Sequence, residues 1–330
     1  METTINDEDL RFHMTFNKQI DKLHIKNLIS VVGPTGIGKT RLAIDLARHF
    51  NTEIISCDSR QFFKEMKIGT ASPSEEELAE APHHFIGNLS VQEYYSIGQY
   101  EEDALKKINE LFVNHDTVIL VGGSMMYEKA VIEGLNDLPE ADENNQKKLQ
   151  EILDTEGIEK LQEILKKLDP EYFEVVDFHN HRRLLRAIDV IWQTDKKYSE
   201  QIAVSQDSRD FNVIRIGIEA PREDLYDRIN RRVDIMMEKG LLAEAESLEK
   251  FKDLTALKTV GYAELFKYFD GEWDLDFAVS EIKKNSRRYA KRQLTWYRKA
   301  DDIHYLPLGY SQKDFDSLIE YINQEIQSIF

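Results

Sequence analysis

The chain has 330 residues, of which 41% are hydrophobic and 32% charged, a composition typical of a globular protein large enough for more than one domain. Its net charge of −18 argues, by itself, against a nucleic-acid partner, and its single cysteine, Cys57, excludes an intramolecular disulfide and a cysteine-cluster zinc site. No apolar run is long enough to span a membrane and the acidic N-terminus does not resemble a secretion signal, so we expect a cytoplasmic protein without membrane contact.

The first motif along the chain is a glycine-rich loop that follows a polar extension at 1–26. It fits the pattern G-x-x-x-x-G-K-[ST], and it lies between a β-branched apolar run at 27–32 and a helical pattern at 39–50. In this context, backbone N–H groups and a helix N-terminus bind phosphate, Lys39 adds a cation, and the Thr40 hydroxyl can ligate Mg²⁺. We therefore predict a polyphosphate or diphosphate site. Its residues are Gly33, Pro34, Thr35, Gly36, Ile37, Gly38, Lys39 and Thr40.

The next elements alternate between strand and helix. A strand at 53–57, a helix at about 99–114 and a strand at 117–121 predict an α/β fold with a parallel sheet of the P-loop type. Asp58 follows the second strand, and ligands of such sheets bind at the carboxyl ends of the strands. Asp58 should therefore lie beside Lys39, as a magnesium ligand or a general base. A turn-forming aspartate is the alternative.

The third strand ends in Gly122 and Gly123, followed by Ser124. P-loop ATPases usually have an aspartate there that helps to hold Mg²⁺. Glycines suit the close approach of backbone to a ligand, and the Ser124 hydroxyl could bond a phosphate oxygen. The missing aspartate disfavours a motor or switch NTPase, but kinases and other enzymes with a phosphate leaving group remain open. A tight turn without a ligand is the alternative.

The character of the chain changes after Gly134. Residues 137–204 show helical spacing and predict an inserted helical subdomain. A strand at 213–218 follows, and the remainder is mostly helical. We therefore predict a P-loop core formed by 27–136 and 205–330.

Three groups of basic residues stand out against the acidic composition. Arg228 and Arg232 are four residues apart, so on a helix they share a face and could clamp a diphosphate, or they could form surface ion pairs. The stretches 182–186 and 283–299 are basic, and the second contains no acidic residue. Such stretches can bind RNA phosphates or be plain solvated helix faces.

Together these motifs resemble the tRNA dimethylallyltransferase family, over about residues 28 to 300 and in the family's order. The matching segments run from Gly33 to Thr40, Ile55 to Gln61, Met66 to Ala71, Ala81 to His84, Val121 to Tyr127, Arg182 to Ala187, Val260 to Tyr262 and Arg288 to Arg298. Eukaryotic relatives often append a zinc finger, which one cysteine excludes, so the pattern is of the bacterial type.

The resemblance implies transfer of a dimethylallyl group from dimethylallyl diphosphate to N6 of the tRNA adenosine on the 3′ side of the anticodon. It implies that Asp58 is the general base, and that the phosphate loop, Mg²⁺ at Thr40, Arg232 and Ser124 stabilise the departing diphosphate. The resemblance and the basic stretches also nominate residues for tRNA contact. These are Asp58, Ser59, Arg60, Gln61, Arg182, Arg183, Arg186, Arg288, Lys291 and Arg292.

We expect a monomer whose partners are tRNA and dimethylallyl diphosphate, with the helical insertion among the tRNA contacts. Three alternatives remain open at this point. They are prenyl transfer to free adenine nucleotides, a small-molecule P-loop kinase, and an RNA-binding module without catalysis.

Overall fold

The computed structural model describes residues 26–203 and 209–328, so all but the last residue of the predicted N-terminal extension lies outside the described residues. The strands are β1 (Asn27–Val32), β2 (Ile54–Ser56), β3 (His83–His84), β4 (Thr117–Val121), β5 (Asn212–Glu219) and β6 (Ile303–Pro307). The helices are α1 (Lys39–Phe50), α2 (Glu75–Glu80), α3 (Ile97–Phe112), α4 (Met125–Glu133), α5 (Glu143–Glu156), α6 (Ile158–Leu168), α7 (Pro170–Val175), α8 (His181–Thr194), α9 (Tyr198–Ile202), α10 (Arg222–Glu238), α11 (Leu241–Ser247), α12 (Tyr262–Phe269), α13 (Leu275–Tyr297) and α14 (Gln312–Ser328).

The six strands form one parallel sheet in the order β3-β2-β4-β1-β5-β6. Every residue of β1 and β4 is buried, as expected for central strands that are covered by helices on both faces. Helix α1 buries Leu42, Leu46 and Ala47, and it ends where Asn51 adopts a left-handed conformation with φ of 48°. The predicted fold class, a parallel P-loop sheet with flanking helices, is confirmed.

Two strands were not apparent from the sequence: β3, which has only two residues and leaves no pattern, and β6. The region from Arg222 onward, predicted to be mostly helical, contains β6, which pairs with β5 at the edge of the sheet. In β6 only Leu306 is buried, and the strand ends on Pro307. An edge strand with one buried side chain and a proline carries little of the apolar signal that identifies strands.

The described residues divide into two compact units, one formed by 26–132 with 209–328 and the other by 133–203. The first unit contains the sheet. The second contains helices α5 to α9, with Leu149, Leu161 and Leu184 in its core. The predicted insertion at 137–204 overlaps this second unit.

The sheet brings three loops to one edge. The phosphate loop follows β1, the Asp58 loop follows β2 and the Gly122-Gly123 turn follows β4. These three strands are neighbours in the order β2-β4-β1 and run in the same direction. Their carboxyl ends therefore meet at the edge where parallel sheets bind ligands. Within the described ranges, no helix combines the length and the apolarity that a membrane span requires.

Candidate active site: a cavity at the phosphate loop

The phosphate loop has the backbone shape that its glycines allow. Gly36 and Gly38 have φ of 80° and 110°, a region that side chains with a Cβ rarely adopt. Helix α1 starts directly after Gly38, and this N-cap residue offers no side-chain acceptor to the amides of the first turn. The N–H groups at this helix terminus therefore suit an external anion.

Backbone carbonyls of the phosphate loop hold the side chain of Lys39. Its Nζ donates hydrogen bonds to the carbonyls of Gly33 (3.0 Å) and Pro34 (2.9 Å). Burial lowers the pKa of Lys39 to about 8, the negative charge of Asp58 partly offsets this, and the positive charge of Arg232 lowers it further. The ammonium group is thus a poorly solvated cation, which gains from an incoming anion.

A cavity of about 1100 Å³ opens at this edge of the sheet, within the first unit. Lys39, Thr40, Asp58, Arg228 and Arg232 all line it. The predicted base and the predicted diphosphate-binding groups therefore share one cavity, and that cavity has room for both a diphosphate and a second substrate group.

Asp58 is half-buried and held by its own loop. Its backbone N–H donates to Ser56 Oγ (3.3 Å), and its Oδ1 accepts from the backbone N–H of Arg60 (3.1 Å). The second bond is the turn-forming interaction that was considered as the alternative role. It occupies one carboxylate oxygen and fixes the orientation of the group towards the cavity side of the loop.

Ser124 connects the turn after β4 to the Asp58 loop. Its Oγ accepts from the backbone N–H of Ser59 (3.0 Å) and lies 2.9 Å from Ser59 Oγ. The structure therefore places the Ser124 hydroxyl against Ser59. Its bond to a phosphate oxygen stays a prediction.

Two residues of α13 hold the site together. Both lie in the matching segment from Arg288 to Arg298, but the sequence did not indicate that they bond the phosphate loop and the turn after β4. The buried Gln293 accepts from the backbone N–H of Thr35 (2.8 Å) and donates to the carbonyl of Gly123 (2.7 Å). The Tyr289 hydroxyl donates to the same carbonyl (2.8 Å). Gln293 thereby links the phosphate loop to the turn after β4. The sequence signal for Gln293 was a polar residue on the apolar face of α13, four positions after Tyr289.

The arginines of α10 divide between two roles. Arg228 Nε donates to the carbonyl of Gly36 in the phosphate loop (3.0 Å), and Arg232 reaches the carbonyl of Thr70 (3.4 Å). Burial lowers the pKa of Arg232, partly offset by the charge of Asp58. Arg231 instead pairs with Asp227 on the surface, the ion-pair alternative.

Gly122 packs so closely against the Asp58 loop that it admits no side chain. A Cβ at this position would lie 2.5 Å from both the carbonyl carbon and Sγ of Cys57, and 2.7 Å from the backbone nitrogen of Asp58. We predict that Gly122→Ala lowers the free energy of unfolding by about 1–3 kcal/mol, because the loop must shift. Urea denaturation measures this.

Gly98→Ala is the matched control for Gly122→Ala. Gly98 lies in α3, and the nearest atom to an added Cβ there is Ser96 Oγ at 3.8 Å. Alanine is the better helix former, so this variant should be as stable as the wild type or slightly more so. Equal stability of the two variants would contradict the close packing at Gly122.

Comparison with known proteins decides the family. The family model described as IPP transferase matches residues 61–300, more than half of the chain. The chain belongs to the IPP transferase family. The family predicted from the motifs is thereby confirmed, as is the predicted enzyme class, a prenyltransferase of tRNA modification.

Relatives of this IPP transferase cover almost its whole length. It is 50% identical over 301 residues to a tRNA dimethylallyltransferase of Christiangramia forsetii, covering 91% of this chain and 99% of the relative. It is 50% identical over 310 residues to a tRNA dimethylallyltransferase of Flavobacterium johnsoniae, with 92% and 99% covered.

Solved structures agree with this membership. The full-length tRNA isopentenylpyrophosphate transferase of Bacillus halodurans superposes with a TM-score of 0.68 at 34% identity, covering 92% of this chain and 97% of that one. A eukaryotic dimethylallyltransferase, described as acting on tRNA, superposes with a TM-score of 0.75 at 26% identity, covering 86% of this chain and 74% of that one.

Two of the IPP transferase residues predicted to touch tRNA are engaged at the site itself. Arg60 donates to the carbonyls of Thr255 and Ala256 (both 3.2 Å). Gln61 Nε2 donates to the carbonyls of Thr70 (3.3 Å) and Ala71 (3.2 Å). Both side chains therefore hold neighbouring backbone in place.

The two basic stretches lie in different units. Arg182 and Arg183 are exposed at the start of α8 in the second unit, and Arg186 donates to the carbonyl of Pro139 (2.6 Å). In the first unit, α13 exposes a shallow groove of about 430 Å³. Its lining is Arg288, Lys291, Arg292, Thr295, Trp296 and Lys299. The structure does not bring the two stretches into one unit.

Thr40 is the candidate metal ligand. It lines the cavity together with Asp58. The part of the chain that the structure describes contains no cluster of three or more His, Cys, Asp or Glu side chains suited to a metal ion. A hydroxyl with few other protein ligands fits Mg²⁺, which binds mainly through substrate phosphates and water in enzymes of this kind.

Proposed function

We propose that this IPP transferase transfers the dimethylallyl group of dimethylallyl diphosphate to N6 of the tRNA adenosine on the 3′ side of the anticodon. The products are N6-isopentenyladenosine and diphosphate. The observation that carries the proposal is the shared cavity, in which Asp58 lies with Lys39 and Arg232 beside the phosphate loop. Prenyl transfer needs a base and a diphosphate site within one substrate length of each other.

The diphosphate binds at the phosphate loop. Within the loop at 33–40, the backbone N–H groups of Gly36, Gly38 and Thr40 face the phosphate oxygens, while the Thr35 N–H is held by Gln293. Lys39 and Arg232 add positive charge from a poorly solvated position. Thr40 would hold Mg²⁺, which supplies further charge for the departing diphosphate. Ser124, at the turn after β4, contributes a hydroxyl group. These groups matter most as the C–O bond of the allylic carbon breaks and negative charge gathers on the diphosphate.

Asp58 accepts the proton. The N6 nitrogen forms a bond to the allylic carbon, the C–O bond breaks with its electron pair leaving on the diphosphate, and a proton passes from N6 to the Asp58 carboxylate. An exocyclic adenine amine is a poor nucleophile, so removal of its proton favours the step. The adenosine has to leave its base stack to enter the cavity.

The tRNA contacts come from both units. We assign them to the Asp58 loop with Ser59, Arg60 and Gln61, to Arg182, Arg183 and Arg186 of the helical unit, and to Arg288, Lys291 and Arg292 of α13. Exposed basic side chains suit phosphates, and Trp296 in the α13 groove offers a surface for base stacking. We place the monomeric enzyme in the cytoplasm, where its tRNA substrate is present.

Two other reactions would use the same loop. A P-loop kinase would transfer phosphate from ATP, but β4 is followed by glycines rather than by a magnesium-binding aspartate. A transferase acting on free adenine nucleotides would need neither the helical unit nor the α13 groove. Both features favour tRNA.

A transfer assay separates these reactions. Purified protein is incubated with Mg²⁺, dimethylallyl diphosphate carrying a radiolabelled allyl group, and either unmodified tRNA or AMP. A parallel incubation contains ATP and measures its hydrolysis. The proposal predicts label in tRNA and none in AMP. Label in AMP alone, or hydrolysis of ATP without prenyl transfer, would overturn it.

The α13 groove gives a separate prediction for tRNA affinity. Arg288→Glu should weaken tRNA binding and lower the slope of log K against log salt concentration by about 1, because one phosphate contact is lost. Filter binding over a series of salt concentrations measures both quantities. Lys313→Glu makes the same charge change on the exposed part of α14 and serves as the control. Identical salt slopes for the two variants would refute the role of the groove.

A further inference from the structure

A carboxylate from α11 is enclosed by the turn that covers one side of the active-site cavity. We propose that Glu244 is a positioning residue, which fixes the turn at 67–72 so that the Thr70 carbonyl orients Arg232 for the diphosphate. The inference rests on the proposed function, because it names a residue on which diphosphate binding at that site depends.

The turn wraps its backbone N–H groups around the carboxylate. Glu244 accepts from the N–H groups of Lys67 (3.0 Å), Ile68 (2.8 Å to one oxygen, 3.1 Å to the other) and Gly69 (2.9 Å). Three consecutive backbone donors on one carboxylate form an anion nest, an arrangement in which the negative charge is strongly bound.

Tyr262 completes the anchor from α12. Its hydroxyl donates to Glu244 (2.6 Å), and its side chain is fully buried. A Cβ at Gly69 would lie 2.6 Å from atoms of the Tyr262 ring, so the turn and the ring are in direct contact. The carboxylate, the ring and the turn therefore form one rigid group.

The far side of the turn reaches the active site. The Thr70 carbonyl accepts from Arg232 (3.4 Å) and Gln61 (3.3 Å), and the Ala71 carbonyl accepts from Gln61 (3.2 Å). The backbone N–H of Gln61 in turn donates to the carbonyl of Asp58 (3.0 Å). The turn thus contacts both the diphosphate side and the base side of the site.

Glu244 acts through this turn rather than on the substrate. It is not among the residues that line the cavity, whereas Lys67, Ile68 and Ala71 are. Ala71 has φ of 46°, a left-handed conformation that is unfavourable for a residue with a Cβ. Such a turn needs bonds from outside to keep its shape, and Glu244 supplies them.

Arg232 needs an external acceptor for a physical reason. Burial lowers the pKa of Arg232, and the charge of Asp58 only partly offsets this. Its bond to Thr70 holds the guanidinium in one orientation before substrate arrives. A loosened turn removes this preorganisation, and diphosphate binding then has to restore it.

The first experiment compares Glu244→Gln with Glu246→Gln, an exposed residue on the same helix. Glutamine keeps the shape of Glu244 but removes its negative charge, and it replaces one acceptor oxygen with an NH₂ group that cannot accept from the backbone N–H groups of the turn. We expect the Kd for dimethylallyl diphosphate, measured by calorimetry, to rise about tenfold in Glu244→Gln, since bonds to a charged acceptor are lost. The Kd for tRNA should rise much less, because Gln61 is the one assigned tRNA contact that bonds this turn. Glu246→Gln should behave as wild type.

A double-mutant cycle with Arg232→Gln decides whether the effect passes through Arg232. We expect Glu244→Gln to have no further effect on diphosphate binding when Arg232 is already replaced. An equal loss in both backgrounds, or a loss of tRNA affinity in proportion, would overturn the proposal. Tyr262→Phe, which removes only the hydroxyl, should give a smaller loss with the same dependence on Arg232 if Glu244→Gln does not fold.

Binding and turnover separate this inference from the proposed function. If the wild type binds dimethylallyl diphosphate but does not prenylate tRNA, the function fails while the cycle still tests the turn. If prenylation occurs and the cycle is additive, the function stands and the role of Glu244 is wrong.

Discussion

Asp58→Asn is expected to lower kcat for tRNA prenylation by about 10²- to 10⁴-fold, the contribution that a positioned general base makes. Asparagine keeps the oxygen that accepts from the N–H of Arg60, so the loop should hold its shape. What it loses is the negative charge and the ability to take the N6 proton. Single-turnover measurement with saturating tRNA isolates this loss from binding.

The conditions of that measurement matter because Asp58 also supports Lys39. The Asp58 charge raises the pKa of Lys39 from what burial alone would give, so its removal lowers that pKa below about 8. The assay is therefore run well below pH 8, where Lys39 stays protonated in both proteins. Asp116→Asn, which removes an exposed carboxylate that pairs with Lys26 (2.8 Å), is the control.

Asp58→Asn should change the affinity for tRNA little, because the proposed role of Asp58 is to accept a proton and not to bind a phosphate. A variant with normal kcat and weakened tRNA binding would assign Asp58 to RNA docking instead. Near-normal values of both kcat and tRNA affinity would show that Asp58 is not the general base.

The second large effect concerns Lys39 and pH. The pKa of Lys39 is about 8, so the ammonium is charged below that pH and neutral above it. We expect kcat/KM for dimethylallyl diphosphate to fall as the pH rises through about 8, because this quantity reports ionisations of the free enzyme. Lys39→Met should lower kcat/KM by about 10²- to 10³-fold at neutral pH, the loss seen when one donor to a developing anion is removed.

The variants separate the Lys39 titration from other groups. Lys39→Met has no ammonium and should show no fall near pH 8. Lys39→Arg keeps its charge throughout the range, and the activity that it retains should not fall there either. A fall near pH 8 that persists in Lys39→Met would assign the titration to another residue.

The central features of the fold follow from local sequence patterns. β1 and β4 are short apolar runs next to glycine loops, and α1 has helical spacing, so the phosphate loop and its flanking elements could be placed within a residue. Helix α3 begins two residues before its predicted start, at a Ser96 capping box. β3 and β6 were not predicted, because both are edge strands that bury few side chains.

The site was only partly predictable, for a physical reason. Asp58 and Lys39 follow strands that the sequence predicts to belong to one parallel sheet, so the topology places them at the same edge. Gln293 and Tyr289 reach that edge from α13, far along the chain, through bonds such as Gln293 to Thr35. Glu244 bonds the turn at 67–72 from α11. No local pattern encodes such long-range contacts, and a polar residue on a helix is usually solvated.

The most direct test of the proposed function is a crystal structure of the Asp58→Asn protein with unmodified tRNA and dimethylallyl diphosphate. We expect the diphosphate on the backbone N–H groups of Gly36, Gly38 and Thr40, with Lys39 and Arg232 beside it. We also expect a flipped-out adenine whose N6 faces residue 58. A diphosphate bound elsewhere, or an adenine amine remote from residue 58, would contradict the proposed function.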